Sequence, residues 1–197
     1  MKVLEPKEPY KRGDKEPIYF VKYANGQELN AKTRSTIIAN AIKEITIQDQ
    51  HSFYPLIEEL FSYLGFNCKA TRAGDTNNRT DAFIIDDTNS LPIEIKSPTE
   101  VQFVNIKSIR QAIENKIILL SRKFYPSSFG TSSLSIGYTY PAARSEVYDL
   151  IEDVFNAYGF NIGIIDLKDI LECVWDLQVN KIPFDKQRIV ELKGKFR

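Results

Sequence analysis

The sequence predicts an α/β fold, a mixed central sheet with helices on both faces, and three observations carry that reading. Apolar stripes at helical spacing alternate along the chain with short β-branched runs. Residues 80–85 and 91–96 form two β-like runs around Asp86-Asp87-Thr88-Asn89-Ser90, a hairpin signature. Of 197 residues, 43% are hydrophobic and 26% charged, the balance of an ordinary globular chain large enough for one domain and a small appendage.

The elements follow in order. Residues 1–17 are rich in proline and charge and read as a tail or a surface arm. Residues 17–23 are strand-like and close at the turn signal Asn25-Gly26. Residues 36–48 read as a helix capped by Ser35 or Thr36. Residues 1–50 therefore form an N-terminal extension with a strand and a helix, and 51–197 the main body. Phe53, Leu56, Ile57, Leu60, Phe61 and Leu64 then recur at helical spacing, and Gly65 stops the run. Residues 66–71 are a short strand candidate, followed by a polar loop from Arg72 to Arg79 and the hairpin.

A long helix is predicted over 103–123, with Ile106, Ile109, Ile113, Ile117 and Leu120 on one face. The tract 125–133 (YPSSFGTSS) is a loop, either a linker or a segment that orders on a ligand. A strand (134–139), a helix (144–158), a strand (161–166) and a helix (167–177) follow. The expected last element is an amphipathic helix over 185–195.

Composition excludes several kinds of chemistry. One histidine, His51, rules out a site needing two imidazoles, and its place before a helix suits a cap or the surface. Cys68 and Cys173 form no CxxC pair; they suit a reducing compartment and a place in the core. No Gly-rich phosphate loop is present. No apolar run approaches the roughly 18 residues of a membrane span, and the N-terminus lacks an apolar leader, so a cytoplasmic protein without membrane attachment is expected. Trp175 falls on a core stripe with Ile170, Leu171, Val174 and Leu177, or on a dimer patch.

Charge is zero overall, with 26 basic and 26 acidic residues, but it is laid out in blocks. Residues 101–125 and the last nineteen each carry an excess of positive charge, whereas 140–178 carry eight acids against Arg144 and Lys168. Such blocks suit a basic face for phosphates with an acidic back, or simply solvated helix faces.

The stretch with chemical content is the hairpin. In a strand, Glu94 and Lys96 point to one side and Ile93 and Ile95 to the other. A turn centred between Thr88 and Asn89 makes opposite residues sum to 177, which sets Asp81 across from Lys96 and diagonal to Glu94. Two carboxylates suit a hard divalent cation that keeps sites for water and phosphate oxygens. A lysine beside them can orient a water or offset charge on phosphorus. That equipment suits phosphodiester hydrolysis and needs neither histidine nor cysteine. The competing reading is a structural ion-pair network in a non-catalytic DNA-binding or assembly module.

The order helix (52–64), strand, strand with Asp81, strand with Glu94-Ile95-Lys96, helix, strand resembles the PD-(D/E)xK nuclease superfamily, which includes restriction endonucleases. The likeness is nearest to the detached cleavage domains of type IIS enzymes and spans about residues 51–175. It implies a restriction-endonuclease-like αβββαβ core and a Mg2+-dependent endodeoxyribonuclease, with Mn2+ as a substitute. Carried over, Asp81 and Glu94 are metal-binding acids, Lys96 is the catalytic lysine, and Ile95 gives a metal ligand through its carbonyl. Glu58 is the accessory acid from the first helix, with Glu59 as runner-up. Gln111 matches a glutamine found early in the next helix of some members.

Arg72, Arg79, Lys107 and Arg110 are the candidate DNA contacts beside Gln111. Thr80 departs from the proline of the motif's name. Double-stranded DNA is the implied substrate, and cutting both strands implies a homodimer or pairing with a second nuclease or recognition subunit. The same motif serves structure-specific nucleases of junction-resolving, transposon-end or repair type.

Overall fold

The computed structural model describes residues 31–71 and 80–197. The predicted arm, the strand over 17–23, its turn and the 72–79 loop with Arg72 and Arg79 lie outside the described residues. The elements are α1 (Ala31–Ile45), α2 (Gln50–Tyr63), β1 (Cys68–Ala70), β2 (Ala82–Ile84), β3 (Leu91–Ile95), α3 (Ile106–Arg122), β4 (Ser133–Gly137), α4 (Glu146–Tyr158), β5 (Ile162–Asp166), α5 (Leu167–Gln178), α6 (Gln187–Val190) and β6 (Gly194–Lys195).

Among the described residues six strands form one sheet in the order β1-β2-β3-β4-β5-β6. The first three pair antiparallel, and β3 to β6 pair parallel. The mixed sheet and the αβββαβ order are those the sequence predicts. Helices α1, α2 and α5 cover one face, where Phe53, Ile57, Phe61 and Trp175 pack with Ile93, Ile95 and Ile136. Helices α3 and α4 cover the other, where Ile109, Ala112, Val147 and Ile151 meet Ile162 and Ile164. Every residue of β3 and β4 is consequently buried, as expected of central strands covered on both sides. Cys68, Cys173 and Trp175 are core residues.

Helix starts differ from the sequence reading. The chain is already helical at Ala31, so Ser35 and Thr36 lie within α1 and cap nothing. Helix α2 is capped by Asp49, whose side chain accepts from the Ser52 N–H (3.1 Å), and His51 is exposed in its first turn. The expected terminal helix over 185–195 is only the single turn α6 followed by β6. The helical turn ends at Val190, and Gly194, at φ 75°, opens the strand that pairs alongside β5. Ile189, Leu192 and Phe196 are nevertheless buried, a spacing that a helix and a turn-plus-strand satisfy equally well.

Helix α3 is rotated from its expected face. Ile117 is 51% exposed, while Ser108, Ile109, Ala112, Asn115, Lys116 and Leu119 face inward. Ile106, Ile113 and Leu120 instead pack around the α3–α4 cluster. Two polar side chains win inward places because each finds partners there. Lys116, fully buried, donates from Nζ to the Ser127 Oγ (3.2 Å) and to the carbonyls of Ser128 and Thr131 (2.5 Å each). The 125–133 loop is thereby tied down, and Thr131 Oγ1 adds a bond to Asn89 Oδ1 (3.0 Å).

One basic block meets the acidic stretch. Arg197 pairs with Glu172 (2.5 Å) and Lys193 with Glu152 (3.1 Å), so part of the basic tail neutralises the acidic stretch. No helix among the described residues is long and apolar enough to cross a membrane.

Candidate active site

The hairpin register places the polar trio. Ala82 faces Ile93 and Ile84 faces Leu91, so opposite residues sum to 175 rather than 177. The shift is two residues, which preserves the side each residue faces. Continuing the ladder sets Asp81 opposite Glu94 and diagonal to Lys96. The turn therefore centres between Asp87 and Thr88, where Asp86 Oδ1 accepts from the N–H groups of Thr88 and Asn89 (2.9 Å each). That Asx turn is the signal that fixes the register.

The ladder does not continue through its backbone. Asp81 Oδ2 accepts from the Ile95 N–H (2.8 Å), taking the place of a β2 carbonyl. Strand β2 stays with β1 at this level, since Thr71 N–H donates to the Asp81 carbonyl (2.8 Å). The Ile95 carbonyl, on the same side of β3, accepts from the Tyr54 hydroxyl of α2 (3.1 Å). On the other side, Lys96 N–H donates to the Ile136 carbonyl (2.8 Å), keeping β3 joined to β4. The site lies in the fork where β2 parts from β3, at the carboxyl end of an interior strand.

Glu94 is 2% exposed and both its oxygens are engaged. Lys96 Nζ lies 2.8 Å from Oε1, and Asn115 Nδ2 of α3 donates to Oε2 (3.2 Å). Lys96 is 9% exposed, and Asp81 is half-buried, which makes Asp81 the most accessible of the three. Burial, followed by repulsion from Glu94, raises the Asp81 carboxyl to about 7, although the Ile95 N–H and Lys96 pull it down. Burial also raises Glu94, against the pull of Lys96 and Asn115. Burial alone would lower Lys96; Glu94, Asp81 and Glu100 outweigh it and hold the ammonium above its ordinary value. Two acids that resist ionising together, beside a lysine kept charged, form a place where added positive charge is favourable.

The donors match a hard cation in kind: two carboxylates and a backbone carbonyl, all oxygen, with neither thiolate nor imidazole. Among the described residues no three His, Cys, Asp or Glu side chains stand together as a metal cluster. A cation held here would therefore draw its remaining ligands from water and substrate oxygens, as magnesium commonly does.

The other predicted residues are placed as follows. Glu58 Oε2 accepts from the Ala70 N–H (2.8 Å), and Oε1 lies 3.8 Å from Lys69 Nζ, so its carboxylate borders the outer edge of β1. Glu59 is one position on along α2. Lys107 and Arg110 are exposed in the first turns of α3. Gln111 is half-buried, and its Oε1 is a buried acceptor with no protein partner.

The structure adds residues the sequence reading missed. Asn115 holds Glu94 from a face assigned to isoleucines. Ser135, in register with Glu94 on β4, is fully buried with an unpartnered Oγ. Glu100 accepts from the Ser97 N–H and hydroxyl (2.9 Å each) and acts electrostatically on both Asp81 and Lys96. The Ser-x-x-Glu spacing just after Lys96 was the signal for that turn.

No family model matches this sequence, and no curated protein does. Among solved structures the chain is similar to the restriction endonuclease FokI, with a TM-score of 0.61 at 11% identity. The match covers 91% of this chain and 34% of that one, so the chain spans about a third of the protein it resembles. The likeness is one of fold: this chain has a restriction-endonuclease-like α/β fold.

Proposed function

We propose that the chain is a Mg2+-dependent endodeoxyribonuclease, a restriction endonuclease or the cleavage part of one, acting on double-stranded DNA. The observation that carries this reading is the convergence of Asp81, Glu94 and Lys96 at the fork between β2 and β3, with the Ile95 carbonyl on the same side. The similarity to a restriction endonuclease agrees with it.

Asp81, Glu94 and the Ile95 carbonyl would hold the cation. When bound, it supplies charge neutralisation at the phosphate and a more acidic water. Lys96, kept protonated by its acidic neighbours, faces the same space and offsets negative charge developing on phosphorus or orients the attacking water. On this reading Lys107 and Arg110, both exposed, would meet backbone phosphates. Two such sites, from two copies or from a second subunit, are needed to cut both strands.

Incubating the protein with supercoiled plasmid and with linear duplex, in Mg2+ or EDTA, followed by sequencing of the ends, tests the proposal. Metal-dependent cleavage that is lost in a folded Asp81→Ala variant is the expected result. Unchanged cleavage in that variant would overturn the assignment.

A further inference from the structure

The inference rests on the nuclease reading and concerns how Glu94 is held. A carboxylate removed from water needs a partner on each oxygen, because an unpaired buried lone pair costs free energy. Glu94 meets that need with two unlike donors. Lys96 Nζ, on a long flexible stem, is 2.8 Å from Oε1. Asn115 Nδ2, on a short side chain, donates to Oε2 at 3.2 Å.

Asn115 is itself rigidly placed. It is 3% exposed and lies in the middle of α3. That helix starts at the Asn105–Ser108 capping box and is held by the buried side chains of Ile109, Ala112, Lys116 and Leu119 around Asn115, with Ser133 Oγ adding one bond to the Ala112 carbonyl (2.7 Å). Lysine can follow a carboxylate that turns about its Cγ–Cδ bond; an asparagine anchored in a helix cannot. Its amide donor therefore sets which lone pairs of Glu94 face Asp81.

We propose that Asn115 is a positioning residue for Glu94, fixing the plane of its carboxylate from the α3 side so that Glu94 and Asp81 can share one divalent cation. Asn115 touches neither DNA nor cation, and its whole effect passes through Glu94. An aliphatic side chain of similar size would pack the same space and lose that control. Partners of this kind typically change metal affinity or activity by about 10-fold to 100-fold when removed.

The test compares Asn115→Leu with Ser133→Ala, which removes another tie between α3 and the sheet without touching Glu94. Mn2+ binding is read by calorimetry, the Mg2+ midpoint by plasmid cleavage, and stability by urea denaturation. Expected is a weakening of Mn2+ binding by about 10-fold or more in Asn115→Leu, matched by a higher Mg2+ midpoint. Cleavage should recover at high Mg2+, and Ser133→Ala should keep the wild-type metal curves.

Metal curves for Asn115→Leu that superimpose on wild type would overturn the inference, as would equal shifts in both variants, which would mean general loosening of α3. If Asn115→Leu does not fold, Asn115→Ser, whose hydroxyl is too short to reach Glu94, is read in its place. A wild type that neither binds Mn2+ nor cleaves DNA would defeat the nuclease reading and this inference together. Normal wild-type behaviour with an unaltered variant would defeat the inference alone.

Discussion

Asp81 accepts the Ile95 N–H through its side chain, at 2.8 Å, where a backbone carbonyl would otherwise complete the ladder. One substitution in the hydrogen-bond pattern thus ends the β2–β3 pairing, brings a carboxylate beside Glu94 and leaves the Ile95 carbonyl to accept from the Tyr54 hydroxyl rather than from a strand. On the proposed reading, structure and chemistry would depend on the same bond.

Asp81→Asn is therefore expected to separate stability from activity. The amide oxygen can still accept from Ile95, while the charge that repels Glu94 is gone. Without divalent cation, the variant should melt a few degrees above wild type, since about 1 kcal/mol shifts the midpoint of a domain this size by roughly 2–4 °C. Its cleavage should fall by at least about 100-fold. Thermal melts in EDTA and plasmid cleavage in Mg2+ check the two halves.

The raised carboxyl of Asp81 also predicts a pH dependence. Its folded value near 7 lies above the unfolded 3.8, so the folded state binds more protons between those values. Stability without metal is accordingly highest in acid on this account and declines as pH rises through about 7. Cleavage should run the opposite way, rising through the same range because the ionised form holds the cation. Raising Mg2+ should move the activity midpoint to lower pH, and pH–rate profiles at two Mg2+ concentrations measure this.

Much of the fold was legible because the strands and helices on the α1–α2–α5 face obey simple periodicity. The trio of Asp81, Glu94 and Lys96 was legible because strand alternation puts them on one side even when the register is misjudged by two. What the sequence hid has physical causes. The isoleucine stripe of α3 suggested an inward face, yet Asn115 and Lys116 lie inward because Glu94 and the 127–131 carbonyls supply their partners. Such long-range compensation leaves no trace in local hydrophobicity. The C-terminal strand was hidden because Ile189, Leu192 and Phe196 suit helical spacing, although the helical turn ends at Val190 and Gly194 already belongs to the strand.

Lys116→Met should be destabilising despite filling the same volume. The ammonium is buried without an acid beside it, and burial lowers it to about 8. Its three oxygen partners are what make that burial tolerable. Losing them should cost about 2–4 kcal/mol, read by urea denaturation, and should open the loop at 127–131 to protease. Equal protease resistance would show that the loop is held by other contacts.

Gly137→Ala tests the route of the chain beyond the site. A Cβ at Gly137 would stand 2.8 Å from Val104 Cγ2, so the segment leading into α3 must move. A loss of about 1–3 kcal/mol is expected, with weaker cleavage because α3 carries both Asn115 and the exposed Lys107 and Arg110. Denaturation midpoints and cleavage rates measured on one preparation would show the two effects together.

The most direct measurement is calorimetric titration of Mn2+ into the wild type and into Glu94→Gln, both verified as folded by circular dichroism. One binding event per chain in the wild type, abolished in the variant, is the predicted result. Identical binding isotherms, or no binding by the wild type, would contradict the claim that Asp81 and Glu94 jointly hold a cation.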